Sequence, residues 1–340
     1  MKKVTYLLGV ILSTVLFTTG CGATKTNNGV AINTDKKPAT KSVKIGYVDG
    51  GKSFPSDLFG IAAEKGYIDE ELKKIGGKLE LVPFVGAGPA INEALASKSI
   101  DLGSLGDVPA IVAKSSGIDT TLVAGGNLAN DAAFIVPVDS SIKSVKELKG
   151  KRVGTMKGSY MHRTLVEGLK ANGLNINDIQ FFNMTAPEAE SAIIAKKVDA
   201  IVAPNTTEAR IVLAKNGKII LGCDKNPEWK GSSATVARTE FAKENPEIIV
   251  AIIKGLNKSK KFVDENSEEA KKIWTKNGTS KEAYDFLYPK NEFVYTVEPS
   301  SKLGKQLTDV TKFLKENNLI KNDVNVDKWI DKSYYEQSLK

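Results

Sequence analysis

The sequence predicts an α/β protein of two doubly wound sheets, joined by a hinge that the chain crosses twice. Three observations predict it. From Val43 onward, apolar runs of strand length alternate with longer stretches of helical periodicity. At Gly125-Gly126-Asn127 the alternation stops and starts afresh. Residues 232–237 then read as one more strand, returning to the first unit after the second is complete.

The chain opens with a segment that is not part of this fold. Lys2 and Lys3 precede an apolar run over 6–17, and Thr18-Thr19-Gly20 lead into Cys21, the pattern of a secretory signal with a small-residue cleavage site. The run is shorter than the ~20 apolar residues that span a bilayer. Gly20-Cys21 resembles the lipobox of bacterial lipoproteins, although Thr18 stands where Leu is usual, and the resemblance implies lipidation at Cys21. Residues 22–42 hold almost no large apolar side chain and read as a flexible tether.

Residues 43–48 alternate and end at Asp49-Gly50-Gly51, a strand running into a loop. A parallel series follows: helix 55–74, strand 79–85, helix 89–98, strand 100–105, helix 108–115 and strand 120–124. The second unit begins with strand 133–138, a short helix opened by the capping box Ser144-x-x-Glu147, and strand 152–156. Helix 160–171 and strand 179–183 come next. Thr185-x-x-Glu188, with Pro187 in the first turn, opens another helix. Strand 199–203, helix 206–215 and strand 218–221 complete the unit. Beyond Asn245 the chain reads as helical and Lys-rich, with amphipathic stretches over 248–263 and 303–316. The expected domains are signal 1–21, tether 22–42, lobe 1 over 43–128 with 234–290, lobe 2 over 129–233, and a C-terminal helical segment over 291–340.

The formal charge is +8, or +6 once Lys2 and Lys3 leave with the signal. Its lysines alternate with Asp and Glu instead of forming a basic stripe with interleaved aromatics, which argues against nucleic-acid binding. With Cys21 acylated, Cys223 has no partner for a disulfide. Stability then rests on packing.

In open sheets of this kind, ligands lie beyond the carboxyl ends of the strands, where helix N-termini converge. Four loops meet that description: Gly86-Ala87-Gly88-Pro89, Gly106-Asp107-Val108-Pro109, Lys157-Gly158-Ser159-Tyr160-Met161-His162, and Pro204-Asn205-Thr206. Each offers unpaired backbone N–H groups and about half a positive charge, which suits a buried anion.

Together, the Gly-x-Gly-Pro helix start, the strand ending in Gly-Asp-x-Pro, the Lys149-Gly-Lys-Arg-Val-Gly154 strand and Lys-Gly-Ser-x-x-His resemble the substrate-binding proteins of nitrate/sulfonate/taurine-type ABC transporters, nearest to the aliphatic sulfonate branch. The resemblance covers about residues 43–289. It implies a two-lobe, type II periplasmic-binding-protein-like fold and a monomer outside the cytoplasmic membrane that passes an alkanesulfonate, taurine or similar anion to a permease dimer and its ATPase. Two departures bear on the ligand. Tyr160 stands where that branch has a second Ser, and Ala203-Pro204-Asn205-Thr206 where it often has Trp-Asp-Pro-Tyr. They imply another ligand, such as a larger or aromatic sulfonate stacking on Tyr160. Nitrate, bicarbonate or a thiamine-type pyrimidine are the alternatives, and a receptor for a sensor kinase is the alternative output.

The candidate ligand residues are Ser53, Phe54, Gly88, Pro89, Gly106, Asp107, Val108, Asn127, Gly158, Ser159, Tyr160, Met161, His162, Asn205 and Thr206. Asp107 either pairs with a ligand amine or caps the helix from Val108, the cap being favoured. Ser159 either meets the ligand or caps its own helix. His162 is the single histidine and either touches ligand or packs. Asn127, with Asn130 and Asp131, sits at the first crossing.

Catalysis has little to stand on. A Ser-His-Asp triad would have to use His162, no Gly-x-Ser-x-Gly elbow surrounds a serine, and the Cys-rich motif of the fold-related thiamine-pyrimidine synthases is absent. One histidine and one non-lipidated cysteine do not make a zinc site, and no carboxylate spacing suggests calcium. No cofactor is expected.

Overall fold

Two five-stranded sheets organise residues 41–340, the part of the chain that this computed structural model describes. The signal, Cys21 and nearly all of the expected tether lie outside the described residues. Lobe 1 begins with β1 (Lys41–Val48), α1 (Leu58–Lys65), α2 (Tyr67–Lys73), β2 (Gly77–Phe84), α3 (Ala87–Ala96), β3 (Leu102–Gly106), α4 (Asp107–Ser115) and β4 (Thr120–Gly125). Lobe 2 comprises β5 (Ala132–Pro137), β6 (Arg152–Thr155), α5 (Tyr160–Ala171), β7 (Gln180–Asn183), α6 (Ala186–Ile194), β8 (Ala200–Pro204), α7 (Asn205–Leu213) and β9 (Gly217–Gly222). The chain then returns through β10 (Ser233–Arg238), α8 (Thr239–Glu244), α9 (Pro246–Glu265), α10 (Ser267–Trp274), α11 (Lys281–Leu287), α12 (Ser301–Glu316), α13 (Val326–Trp329) and α14 (Ser333–Ser338).

The sheet orders are β2-β1-β3-β10-β4 and β7-β6-β8-β5-β9. Each sheet is therefore mixed, not purely parallel. β10 runs antiparallel to β3 and β4, and β5 antiparallel to β8 and β9. Both reversed strands come straight from a crossing, so they enter the sheet at the end where the other strands leave it. β5 is buried at all its positions, Ala-Ala-Phe-Ile-Val-Pro, as a strand covered on both faces must be.

Three other expectations change. The helix expected over 55–74 is two helices, broken at Gly66, whose φ of 72° ends α1 and starts α2. Ser144-x-x-Glu147 opens only a short 3₁₀ turn: Ser144 Oγ bonds Glu147 Oε1 at 3.0 Å instead of capping a backbone N–H. The box at Thr185 does form, with Thr185 N donating to Glu188 Oε2 at 2.8 Å and Glu188 N to Thr185 Oγ1 at 3.4 Å. The chain beyond Asn245 is not helical throughout either, because residues 288–300 are irregular.

The longest helix, α9, buries Ile249, Ile253 and Leu256 against α1 and α2. Each such side chain contributes about 1.5–3 kcal/mol. Behind the other face of sheet 1, Leu303, Leu307 and Val310 of α12 join Ile111 of α4 in a second core. The last helices thus pack on lobe 1, α13 against β4 and α14 against α9.

Candidate functional site

Residues 127–131 and 230–233 cross between the lobes side by side. Asn130 and Gly231 exchange both backbone hydrogen bonds at 2.8 Å, Ser233 N donates to Asn127 O at 2.8 Å, and Lys230 pairs with Asp131 at 3.2 Å. A third segment lies alongside: Leu128 N donates to Val294 O and Thr296 N to Gly126 O. The lobes also meet across the cleft, where α11 packs on α7 and Asn205 Nδ2 donates to Tyr288 Oη at 3.2 Å.

Between the lobes lies a cavity of about 270 Å³. Lobe 2 contributes the first residues of three helices: Ser159 to Met161 of α5, Ala186 and Pro187 of α6, and Asn205 to Thr207 of α7. One turn into α7, Arg210 is the only lysine or arginine on the cavity wall among the described residues. Glu190 holds its guanidinium in a fork, Nε to Oε1 at 3.2 Å and Nη2 to Oε2 at 2.7 Å, and Thr207 Oγ1 accepts a third bond at 3.0 Å. Clamped this way, Arg210 is positioned to meet an anion at little entropic cost.

Lobe 1 contributes the starts of α1, α3 and α4. At α3, Ala87 takes a φ of 50°, uncommon for a residue with a side chain, and a Cβ at Gly88 would sit 2.3 Å from Pro109 Cγ. The glycine there lets α3 and α4 start almost in contact. At α1, Asp57 caps the helix by accepting Phe59 N at 2.9 Å, and Ser104 Oγ donates to its other oxygen at 3.0 Å. Burial pushes this carboxyl up from the usual range, opposed by the Ser104 and Phe59 bonds. Six rings complete the wall: Phe54, Trp274, Tyr284, Tyr288, Phe293 and Tyr295. The Trp274 ring lies 5.1 Å from Phe293, 5.8 Å from Tyr295 and 6.0 Å from Tyr284.

Of the residues expected from sequence, Phe54, Gly88, Pro89, Gly106, Asn127, Gly158, Ser159, Tyr160, Met161, Asn205 and Thr206 line the cavity. Ser53, Asp107, Val108 and His162 do not. Ser53 sits in an exposed turn where its N–H bonds Asp49 Oδ1 at 2.9 Å. Val108 is on the core face of α4. Asp107 accepts its neighbour Val108 N at 2.7 Å, Ser232 N at 2.6 Å and Ser232 Oγ at 3.1 Å, tying the start of α4 to the second crossing. His162 turns to the interior of lobe 2, its ring 5.5 Å from Phe181, and burial aided by Lys157 holds it down at about 4, so it is neutral.

Two cavity residues are more constrained than expected. Ser159 Oγ donates to Met156 O at 2.6 Å and accepts His162 N at 3.3 Å, so it serves its own helix. Tyr160 cannot present both ring faces to a ligand, because Gly231 lies against it; a Cβ there would be 2.7 Å from Tyr160 Cβ. A second cavity, which shares Asn127, Asn205 and Tyr288 with the first, is lined also by Asp131, Lys230 and Glu208. Burial, with Asp131 and Asp224 nearby, pushes Glu208 up to about 7. Cys223 is a buried thiol pushed up to about 12 by burial, which makes it inert. Among the described residues no cluster of three or more His, Cys, Asp or Glu side chains is placed to hold a metal ion.

Residues 58–270, more than half of the chain, match the protein family described as NMT1/THI5 like. The chain belongs to that family. This NMT1/THI5-like chain is 29% identical over 271 residues, 78% of its length and 76% of the other's, to a protein of Bacillus subtilis (strain 168) named for binding aliphatic sulfonates. The crystal structure of the periplasmic aliphatic sulphonate binding protein of Escherichia coli superimposes with a TM-score of 0.70 at 25% identity, covering 86% of this chain and 92% of that one. The fold is thus the two-lobe binding-protein fold that the motifs implied. A desulfurization enzyme has the same fold at 15% identity and a TM-score of 0.69, over 88% of this chain and 99% of that one. Fold alone therefore does not separate binding from catalysis.

Sequence reasoning missed Arg210, Asp57 and every ring of the wall except Phe54. Arg210 had a signal, because it follows Thr206 by four positions and so lies on the same face of α7 one turn on. The rings had one too. A quarter of the chain's aromatic residues fall between 274 and 295, more than an ordinary amphipathic helix needs. Asp57 had none, since Ser-Asp ahead of an apolar run reads only as a cap.

Proposed function

We propose that the protein is the solute-binding component of an ABC importer and that it captures a small organic sulfonate between its lobes. The observation that carries this reading is the cavity between the two lobes, where helix starts from both sides converge around one clamped arginine. A sulfonate is ionised at any physiological pH, so its burial requires donors and dipoles rather than a base. Arg210, the α7 start and the α3 start supply those donors, while the rings cover the organic tail. Solute enters with the lobes apart, and closure brings α7 toward α11. The closed form then docks on a permease dimer served by an ATPase, and Cys21 carries a lipid that keeps the protein on the outer face of the membrane. The sulfonate-named relatives support the ligand class. The missing triad and the inert Cys223 support binding over catalysis.

Thermal shift of the protein against alkanesulfonates, aromatic sulfonates, nitrate, bicarbonate and thiamine-type pyrimidines tests the ligand class. A ligand at 100 times its Kd stabilises by ~2.7 kcal/mol, enough to raise the midpoint by a few degrees. A shift with sulfonates alone is expected. A shift only with a neutral heterocycle would keep the clamp and overturn the sulfonate.

A further inference from the structure

Asp57 is a costly way to cap a helix. Asn caps as well as Asp does, without burying a negative charge. Yet Asp57 faces the cavity, and no lysine or arginine nitrogen lies within 4 Å of its carboxylate among the described residues. A second carboxylate, Asp49, lines the same cavity and is likewise without a basic partner, spending Oδ1 on the backbone of Lys52 and Ser53. Both belong to the wall that carries the rings.

The rings are fastened to that carboxylate's own backbone. Trp274 Nε1 donates to Asp57 O at 2.9 Å, and Tyr295 Oη donates to Ser56 O at 3.4 Å. An aromatic face attracts a cation through its quadrupole, and a positively charged nitrogen satisfies a desolvated carboxylate. Two carboxylates and several rings line the lobe 1 wall, and helix starts with an arginine line the lobe 2 wall, so the cavity presents groups for charges of both signs.

We propose that Asp57 and the rings around Trp274 form a subsite for a positively charged nitrogen, so that the ligand is a zwitterion with a sulfonate at one end and an alkylated ammonium group at the other. The proposal rests on the sulfonate reading for one end only. Alkylation matters because rings wrap methyl groups, while a bare ammonium keeps its hydration.

The test compares two sulfonates of the same shape: the trimethylammonium derivative of ethanesulfonate, and 3,3-dimethylbutanesulfonate, in which carbon replaces the nitrogen. Calorimetric titration of the wild-type protein should show the charged compound binding at least about tenfold more tightly. Asp57→Asn, which keeps the cap and the shape, should erase that preference while leaving the neutral compound's affinity within about threefold. Equal or tighter binding of the neutral compound by the wild type would overturn the proposal, whatever the variant does. Choline, which has the ammonium and no sulfonate, separates the two readings. If neither sulfonate binds but choline does, and Asp57→Asn abolishes it, the cation subsite stands and the sulfonate fails. If neither sulfonate nor choline binds, the cation subsite fails as well.

Discussion

Lobe 2 meets the cavity with helix starts and a clamped arginine, whereas lobe 1 meets it with two carboxylates and six rings as well as helix starts of its own. The difference follows from how each wall is made. Lobe 2's donors come with the βα turns of its sheet, which any doubly wound unit provides. Five of lobe 1's six rings come from α10, α11 and the irregular run after them, a segment that belongs to no βα unit and lies beyond the second crossing, and the sixth, Phe54, comes from the turn after β1. The βα turns supply helix-start donors common to such clefts, and the added segment supplies most of the rings on the opposite wall.

Four substitutions test this difference between the walls. The largest effect is expected at Trp274, which is buried among three rings. Trp274→Ala should cost ~3–5 kcal/mol in chemical denaturation; a loss below about 1 kcal/mol would show that the ring wall is not part of the lobe 1 core. His162 comes next and reports on lobe 2 alone. Its folded value of about 4 lies below the usual 6.5, so the unfolded chain binds the proton more tightly and stability falls as pH drops from about 6.5 to 4. The imidazole's share, read as the difference between the wild type and His162→Gln across that range, should reach roughly 3 kcal/mol; Glu208, held up at about 7, moves stability the other way in both proteins and drops out of the difference. Ligand affinity should not follow this titration, because the ring is outside the cavity.

Arg210→Gln should weaken sulfonate binding by ~1.5–3 kcal/mol in calorimetry, the worth of hydrogen bonds to a charged group. An unchanged Kd would move the anion to the lobe 1 helix starts. Ser159→Ala is expected to do least: about 1 kcal/mol of stability for the lost cap, with little change in affinity, since its hydroxyl already serves Met156 and His162. A tenfold loss of affinity would return Ser159 to the list of ligand donors.

The same division explains what was legible in the sequence. The alternation of strands and helices along each unit, the returning strand β10 and the cavity-facing turns at Gly88, Gly158 and Asn205 follow from local patterns that a reader of sequence can see, whereas the order of the strands in each sheet does not. The reversed directions of β5 and β10 do not, because direction is set by where the crossing delivers the chain rather than by any property of the strand. Sequence left Asp107 and His162 each between a ligand contact and a structural role for a related reason. Residues one to three positions into a helix can point to the cleft or back into the lobe, and only the packing of Ser232 and Phe181 decides it. Asp57 reads as a cap because it is one; its second role depends on rings more than two hundred residues away.

The measurement that bears most directly on this account is a crystal structure of the protein with 3-bromopropanesulfonate, whose sulfonate is located by density and whose bromine is located by anomalous scattering. The account predicts the sulfonate within hydrogen-bond reach of Arg210 and the start of α7, with the bromine among Trp274, Tyr288 and Tyr295. The reverse orientation, with the sulfonate beside Asp57, or a ligand bound outside the cavity, would contradict it.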